Sequence, residues 1–225
     1  MEGVFFQIGN NSNYFNAWFD RTGCATSNSR EHFFIGMSGK ASKGILFADF
    51  QSYMYHLSNT KPSTPGEGVS ENMLLQATIG VEHNDGEKFK GLLAAGTLLG
   101  YERDRRFENK LYKPVGFVAR ADAEVWGIGT KNLLYIGDPR MRLANTFGGE
   151  LYWGTQFLQA KSYFKNEWYI CFMESSHVKV KFHCNLHFNQ GHIMLQQALT
   201  VTASINNLGN KKSNRTVYPW LKIFK

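Results

Sequence analysis

Three long segments of this chain place apolar residues at every second position, and this pattern constrains the fold more than any other feature. In residues 178–188 every even position is apolar, and residues 115–125 and 193–205 largely repeat the pattern. A period of two is that of a β-strand with one apolar and one polar face, whereas an amphipathic helix repeats every 3.6 residues. The pattern therefore predicts an antiparallel β-sheet protein.

Further strands are predicted along most of the chain, to a total of about twelve. Residues 73–81 and 164–172 alternate in the same way, and residues 189–192 form a predicted hairpin turn. The segment 91–102 has a short buried helix as its alternative. Weaker strand candidates lie at 4–9, 13–20, 32–39, 44–56, 91–102, 132–137, 150–157 and 216–224.

The chain is expected to form one domain over residues 1–225. The segment 58–72, with its Pro and Gly residues, is the best linker candidate, but no shift in composition follows it. We therefore interpret this segment as a long loop.

Strand length separates two kinds of antiparallel sheet. The three clearest alternating segments have 11, 11 and 13 residues. Strands of soluble sheets average about five or six residues, whereas a tilted strand that crosses a bilayer needs about nine to eleven. The lengths therefore favour a membrane-spanning barrel.

Charged positions within two of these strands are the candidate functional residues. Asp122 and Glu124 could work as an acid/base pair, but the commoner outcome is an interior ladder that neutralises itself with Arg120. Aromatic residues flank several strands, as interfacial girdles would require: Tyr112, Trp126, Tyr163, Trp168, Tyr218 and Trp220. The side chains predicted to line a hydrated barrel interior are Arg120, Asp122, Glu124, Lys179, Lys181, His183 and His187.

With strands 115–126, 164–173, 178–188 and 193–205 and an aromatic-rich end, the chain resembles, as a class, bacterial outer-membrane β-barrel proteins. The resemblance is one of pattern rather than motif, and Lys225 after Phe224 departs from the terminal Phe that is frequent in the class. It implies an antiparallel up-and-down transmembrane β-barrel of about 12 strands. The expected role is a small pore or a structural or accessory subunit of a membrane complex.

The resemblance also implies the surroundings of the chain. Lipid or lipopolysaccharide and other outer-membrane proteins are the expected partners, and neither a cofactor nor a nucleic acid is expected. Residues 1–6 lack the features of a signal peptide. An outer-membrane location therefore requires that a signal peptide has been removed; otherwise Met1 is a true start and the protein is cytosolic.

The net charge of +7 suits any anionic partner and selects none of them. A predicted loop that carries Arg103, Arg105 and Arg106 is the candidate anion-binding site. The three cysteines, Cys24, Cys171 and Cys184, form no CxxC motif.

No metal site is expected. His183 and His187 lie about 13 Å apart along an extended strand, which is too far for a shared zinc ion.

Two other functions stay open at this point. The first is a soluble β-sandwich or jelly roll, such as a viral coat or glycan-binding module, whose apolar faces pack together. The second is an outer-membrane lipid hydrolase that uses Ser176 and His177, although no oxyanion-donor motif accompanies them. Enzyme activity is therefore the less expected outcome, and residues 39–42, which resemble part of a phosphate loop, are expected to form a hairpin turn.

Overall fold

A computed structural model describes residues 2–23, 31–57, 70–86, 88–105, 108–139, 160–175, 177–203, 215–216 and 218. All regular secondary structure in these residues is β-strand. No helix among them is long and apolar enough to cross a membrane.

Thirteen strands are formed within the described residues, and most of them are longer than a typical soluble strand. Their bounds are β1 Glu2–Gly9, β2 Tyr14–Gly23, β3 His32–Lys43, β4 Leu46–Leu57, β5 Ser70–Asn84, β6 Phe89–Asp104, β7 Glu108–Tyr112, β8 Val115–Val125, β9 Ile128–Gly137, β10 Ser162–Ser175, β11 Val178–Asn189, β12 His192–Ala203 and β13 Arg215–Thr216.

The strands form one sheet in which neighbours in sequence are neighbours in space. The order is β1-β2-β3-β4-β5-β6-β8-β9-β10-β11-β12, with β7 paired to β6 and β13 paired to β10. Because β7 and β8 both pair with β6, counting them as one interrupted strand gives twelve strands. The predicted all-β, antiparallel up-and-down sheet of about twelve strands is confirmed, and its closure into a barrel stays a prediction.

Two-residue turns set the register of two hairpins. Gln190 and Gly191 have φ angles of 48° and 88° between β11 and β12, and Trp126 and Gly127 have 49° and 81° between β8 and β9. Positive φ at both central residues is the type I′ geometry, whose twist matches that of the flanking strands. The turn predicted at 189–192 is confirmed, with Asn189 opposite His192.

The segment 91–102 belongs to strand β6 and is not a helix. Ala94 and Leu98 are buried, whereas Leu93 and Leu99 are exposed, so the side chains alternate with a period of two. Both faces of this strand are apolar, which hides the period in the sequence.

Three other predictions were wrong or fall outside the described residues. Residues 39–42 lie inside β3, and the turn is at Gly44 and Ile45 instead. The predicted loop 103–113 contains β7. The candidate strand 150–157 and most of 216–224 lie outside the described residues.

The chain divides into two compact units. Unit 1 comprises Met1–Gly80, Ala95–Val118 and Tyr135–Lys161. Its largest fully buried side chain is Tyr135, whose ring lies so close to Gly116 that a Cβ there would come within 2.3 Å of it. The buried apolar side chains of this unit include Phe47, Tyr55, Leu98, Val118 and Tyr135.

Unit 2 comprises Val81–Ala94, Ala119–Leu134 and Ser162–Lys225. Its buried side chains are largely polar or phenolic, and the apolar side chains on the opposite strand faces are exposed. Trp168 is 54% exposed and Leu199 is 66% exposed, whereas Tyr169 is 5% exposed. The buried set includes Glu124, Tyr163, Glu167, Tyr169, Cys171, His187 and Tyr218.

The type I′ turn at 190–191 is tested by substitutions that change only backbone freedom. A Cβ at Gly191 would meet no atom within 4 Å, so Gly191→Ala isolates the cost of a left-handed conformation, about 1–2 kcal/mol. Gln190→Asn is the matched variant and should be neutral or slightly stabilising, because Asn tolerates positive φ. The measurement is the urea midpoint of unfolding; an unchanged midpoint for Gly191→Ala would contradict this turn.

Candidate functional site

The charged residues predicted on β8 lie on its buried side. Gly116 and Val118 are buried and Glu124 is 9% exposed, whereas Val115, Phe117 and Val125 are exposed. Because successive side chains of a strand point to opposite faces, Arg120 and Asp122 lie on the same face as Glu124. The alternation predicted for 115–125 is confirmed, and its apolar set is the exposed one.

Strands β10 and β11 pair so that their charged positions share one face. Glu167 lies opposite Asn185, Tyr169 opposite His183, and Lys165 opposite His187. The apolar positions pair in the same way on the other face, where the Phe164 and Phe188 rings lie 5.7 Å apart. We call the polar side the charged face; its members are Lys90, Arg120, Asp122, Glu124, Lys131, Lys165, Glu167, Tyr169, Glu174, Lys179, Lys181, His183 and His187, all in unit 2.

Glu124 is the centre of the charged face. Lys90 on β6 donates from Nζ to Glu124 Oε1 at 2.9 Å, and the Tyr169 hydroxyl on β10 donates to Oε2 at 2.6 Å. Lys181 Nζ on β11 lies 3.9 Å from Oε2. The Glu124 side chain is 11% exposed, so these partners replace the water that an ionised carboxylate otherwise needs.

The ring of Tyr169 also attracts two ammonium groups. Lys181 Nζ lies 4.3 Å from the ring centroid and Lys131 Nζ lies 5.5 Å from it, both within cation–π distance. The ring can take this place because Gly129 has no side chain; a Cβ there would come within 2.5 Å of the ring.

Glu167 and Glu174 are each held by two donors. Lys165 Nζ lies 2.9 Å from Glu167 Oε2, and His183 Nδ1 lies 3.0 Å from Oε1. Lys179 donates to Glu174 Oε1, and the Tyr218 hydroxyl donates to Oε2 at 2.5 Å.

Tyr218 and the Cys171 thiol lie beside Glu174, which is part of the charged face. Burial raises the pKa of Tyr218, and so does the hydrogen bond to Glu174, so the phenol keeps its proton and acts as a donor. Cys171 Sγ lies 3.4 Å from the Met173 carbonyl oxygen, at a shift in the β10–β11 register. Cys171 and Cys184 are both free thiols, and Cys24 lies outside the described residues.

The girdle predicted from flanking aromatic residues was wrong for Tyr163 and Tyr218. Both are 3% exposed, and their hydroxyls bond to His187 Nδ1 at 2.7 Å and to Glu174. Trp168 is exposed on the apolar side of β10, and Trp126 is exposed in the turn between β8 and β9. Trp220 lies outside the described residues.

The predicted anion-binding loop is only partly described. Arg103 belongs to β6, and its Nη2 donates to Glu71 Oε2 at 2.7 Å in unit 1. Arg105 is exposed in a turn, and Arg106 lies outside the described residues. The guanidinium of Arg103 is therefore already paired with a carboxylate.

The serine and histidine pair considered for hydrolysis is only partly described. Ser176 lies outside the described residues. The Ser175 hydroxyl donates to the Val178 carbonyl at 3.0 Å and accepts from the Val178 N–H at 2.9 Å. This serine therefore acts in the turn between β10 and β11.

Several members of the charged face were missed as candidate functional residues. Lys165, Glu167 and Tyr169 follow from the alternation of 164–172, in which they oppose the apolar positions. Lys90 had no such signal, because it precedes a run that is apolar on both faces. Among the described residues, no three His, Cys, Asp or Glu side chains group as metal ligands.

The apolar side of unit 2 also carries a cluster of polar side chains. Asn166 Nδ2 donates to Asn132 Oδ1 at 2.6 Å and to Thr130 Oγ1 at 3.2 Å, and Asn132 donates to the Ala121 carbonyl at 2.9 Å. The side-chain amides of Asn166 and Asn132 therefore both donate to acceptors within the protein.

Comparison of the chain with protein-family models, with curated proteins and with solved structures finds no match. What the charged face can do is therefore inferred from its own side chains. It offers paired carboxylates, ammonium groups in excess and neutral phenols, a set suited to electrostatic binding.

Removal of the Glu124 charge should destabilise the protein. In Glu124→Gln the ammonium of Lys90 loses its anion, and because Lys90 is 36% exposed the cost should be about 2–3 kcal/mol, below the 3–5 of a fully buried pair. Tyr169→Phe should cost about 1–2 kcal/mol. The double variant should lose less stability than the sum of the two single losses, because both substitutions affect the same hydrogen bond between Tyr169 and Glu124.

The matched control is Glu31→Gln, which breaks the 2.7 Å pair with the 37% exposed Arg21. It should cost less than about 1 kcal/mol. Unfolding free energies from urea titration give all four values, and equal losses for Glu124→Gln and Glu31→Gln would contradict a central role for Glu124.

Proposed function

We propose that this chain is a transmembrane β-barrel protein of a bacterial outer membrane, acting as a structural or accessory subunit of a membrane complex or as a small pore. One observation carries the proposal: in unit 2 the strands bury charged and phenolic side chains on one face and expose apolar side chains on the other. A soluble sheet has the opposite arrangement, whereas a barrel in lipid has this one.

The extent of the exposed apolar surface supports a lipid environment. Among the described residues, twenty-nine large apolar side chains are exposed, including Ile79 at 71% and Leu93 at 60%. Leaving one such side chain in water rather than burying it forgoes about 1.5–3 kcal/mol. Soluble monomers rarely expose contiguous apolar patches larger than a few hundred Å², and hydrocarbon removes this penalty.

The lengths of the strands also support a lipid environment. Strands β3, β4, β5, β6, β10, β11 and β12 have 12 to 16 residues. About nine to eleven tilted residues cross the hydrocarbon layer, so each of these strands is long enough to span it and to extend beyond it.

A lipid environment also requires that the backbone groups at the two edges of the sheet be paired. The described strand order begins at β1 and ends at β12, and unpaired backbone groups at a sheet edge cost several kcal/mol each in lipid. We therefore propose that the sheet closes into a barrel. With about twelve strands and ion pairs across its inner face, the lumen is narrow, which favours a structural role or a small pore over a wide diffusion channel.

The proposal assigns lipid and lipopolysaccharide to the apolar face, with other outer-membrane proteins as partners of the complex. Side chains of the exposed set, such as Phe117, Phe172 and Trp168, would meet acyl chains. A soluble sandwich would instead have to pack these faces against each other.

Arginine substitutions on the exposed face distinguish lipid from water. Ile79→Arg and Trp168→Arg replace exposed apolar side chains near the middle of β5 and β10. In a membrane barrel each should cost about 2–4 kcal/mol near the bilayer midplane. Ile45→Arg is the control, since Ile45 is 56% exposed in a turn and should tolerate the charge.

The measurement is unfolding by urea in phospholipid vesicles, with solubility tested in parallel without detergent. In water an exposed Ile or Trp can become Arg at almost no cost, so three neutral substitutions together with a soluble monomer would refute the barrel.

A further inference from the structure

The charged face carries unequal numbers of positive and negative groups. With Glu82, at an inward-facing position of β5, six cationic side chains stand against five carboxylates: Lys90, Arg120, Lys131, Lys165, Lys179 and Lys181 against Glu82, Asp122, Glu124, Glu167 and Glu174. An excess of like charge on a half-buried face is costly unless counter-charges approach it. Mobile anions are the simplest counter-charges.

Three glutamates of this face already accept hydrogen bonds at both carboxylate oxygens. In Glu124, Glu167 and Glu174 each of the two carboxylate oxygens is within hydrogen-bonding distance of a donor side chain from this face or from Tyr218. A carboxylate that already accepts such bonds has fewer lone pairs left for another cation.

Two ammonium groups keep donors available. Among the described residues, no carboxylate lies within hydrogen-bonding distance of the ammonium group of Lys131 or Lys181. Lys181 Nζ lies 3.9 Å from Glu124 Oε2. Both ammonium groups instead face the Tyr169 ring. A cation–π contact leaves N–H groups that can donate to an anion.

We propose that the charged face forms a pathway for small inorganic anions such as chloride, with Lys131 and Lys181 as the residues that set selectivity. The inference rests on the barrel proposed above, in which this face lines the lumen. Charged rings in a pore surrounded by low-dielectric walls concentrate the opposite ion and exclude ions of the same sign. Glu124, Glu167 and Glu174 instead bond to Lys90, Lys165 and Lys179.

The test uses the full chain reconstituted in planar lipid bilayers with a KCl gradient. Wild-type protein should give a reversal potential of the sign set by chloride. In Lys131→Gln/Lys181→Gln the ratio of chloride to potassium permeability should fall by roughly threefold or more. Lys43→Gln, at the exposed end of β3, makes the same kind of change away from this face and should leave the ratio unchanged.

Insertion is measured separately by flotation with lipid vesicles and by protection from protease. A cation-selective channel, or a ratio unaffected by the double variant, overturns the anion pathway. Protein that inserts and is protected but carries no current also overturns it, while leaving the barrel intact. Protein that does not insert refutes the barrel and the pathway together.

Discussion

The carboxylate of Glu124 must be compensated where water is scarce, and much of unit 2 is arranged to do so. Its partners come from three other strands: Lys90 on β6, Tyr169 on β10 and Lys181 on β11. A charge removed from water costs several kcal/mol unless opposite charges and hydrogen bonds surround it. The positions of these strands relative to Glu124 are therefore constrained by electrostatics as well as by the backbone ladder.

The paired charges matter because the apolar side chains of these strands are exposed rather than buried. In a soluble sheet, burial of apolar side chains both drives folding and fixes which face is inside. In unit 2 the buried face is polar, so a register error of one residue in β10 would place Glu167 and Tyr169 on the apolar side and Trp168 among the charges. The charged pairs across β10 and β11 make such a slip costly.

Sequence periodicity predicted the parts of the fold that alternate visibly. The bounds of β8 and the start of β11 agree with the alternating segments, and Arg120, Asp122, Glu124, Lys179, Lys181 and His183 lie where period two assigns them. The period failed for β6, because both faces of that strand are apolar.

The partners of the charges could not be predicted from local sequence. The expected ladder joined Arg120, Asp122 and Glu124 within one strand, whereas Glu124 is bonded to residues 34 and 45 positions away. Arg103, which looked like part of a basic loop, is paired with Glu71, 32 positions earlier. Such pairs depend on strand order and register, which a single strand does not encode. Tyr163 and Tyr218 show the same limit, since a tyrosine near a strand end can face an interface or donate to a buried group.

The sequential strand order also shapes how the sheet forms in time. A hairpin joined by two residues, such as β11 and β12, needs little chain entropy to close, whereas β9 and β10 are separated by residues 138–161. Relative to the four-residue connection between β5 and β6, that longer connection raises the closure cost by only about 1.5 kcal/mol, because the cost grows with the logarithm of length. We therefore expect hairpins with short connections to form early and the pairing of β9 with β10 to form later.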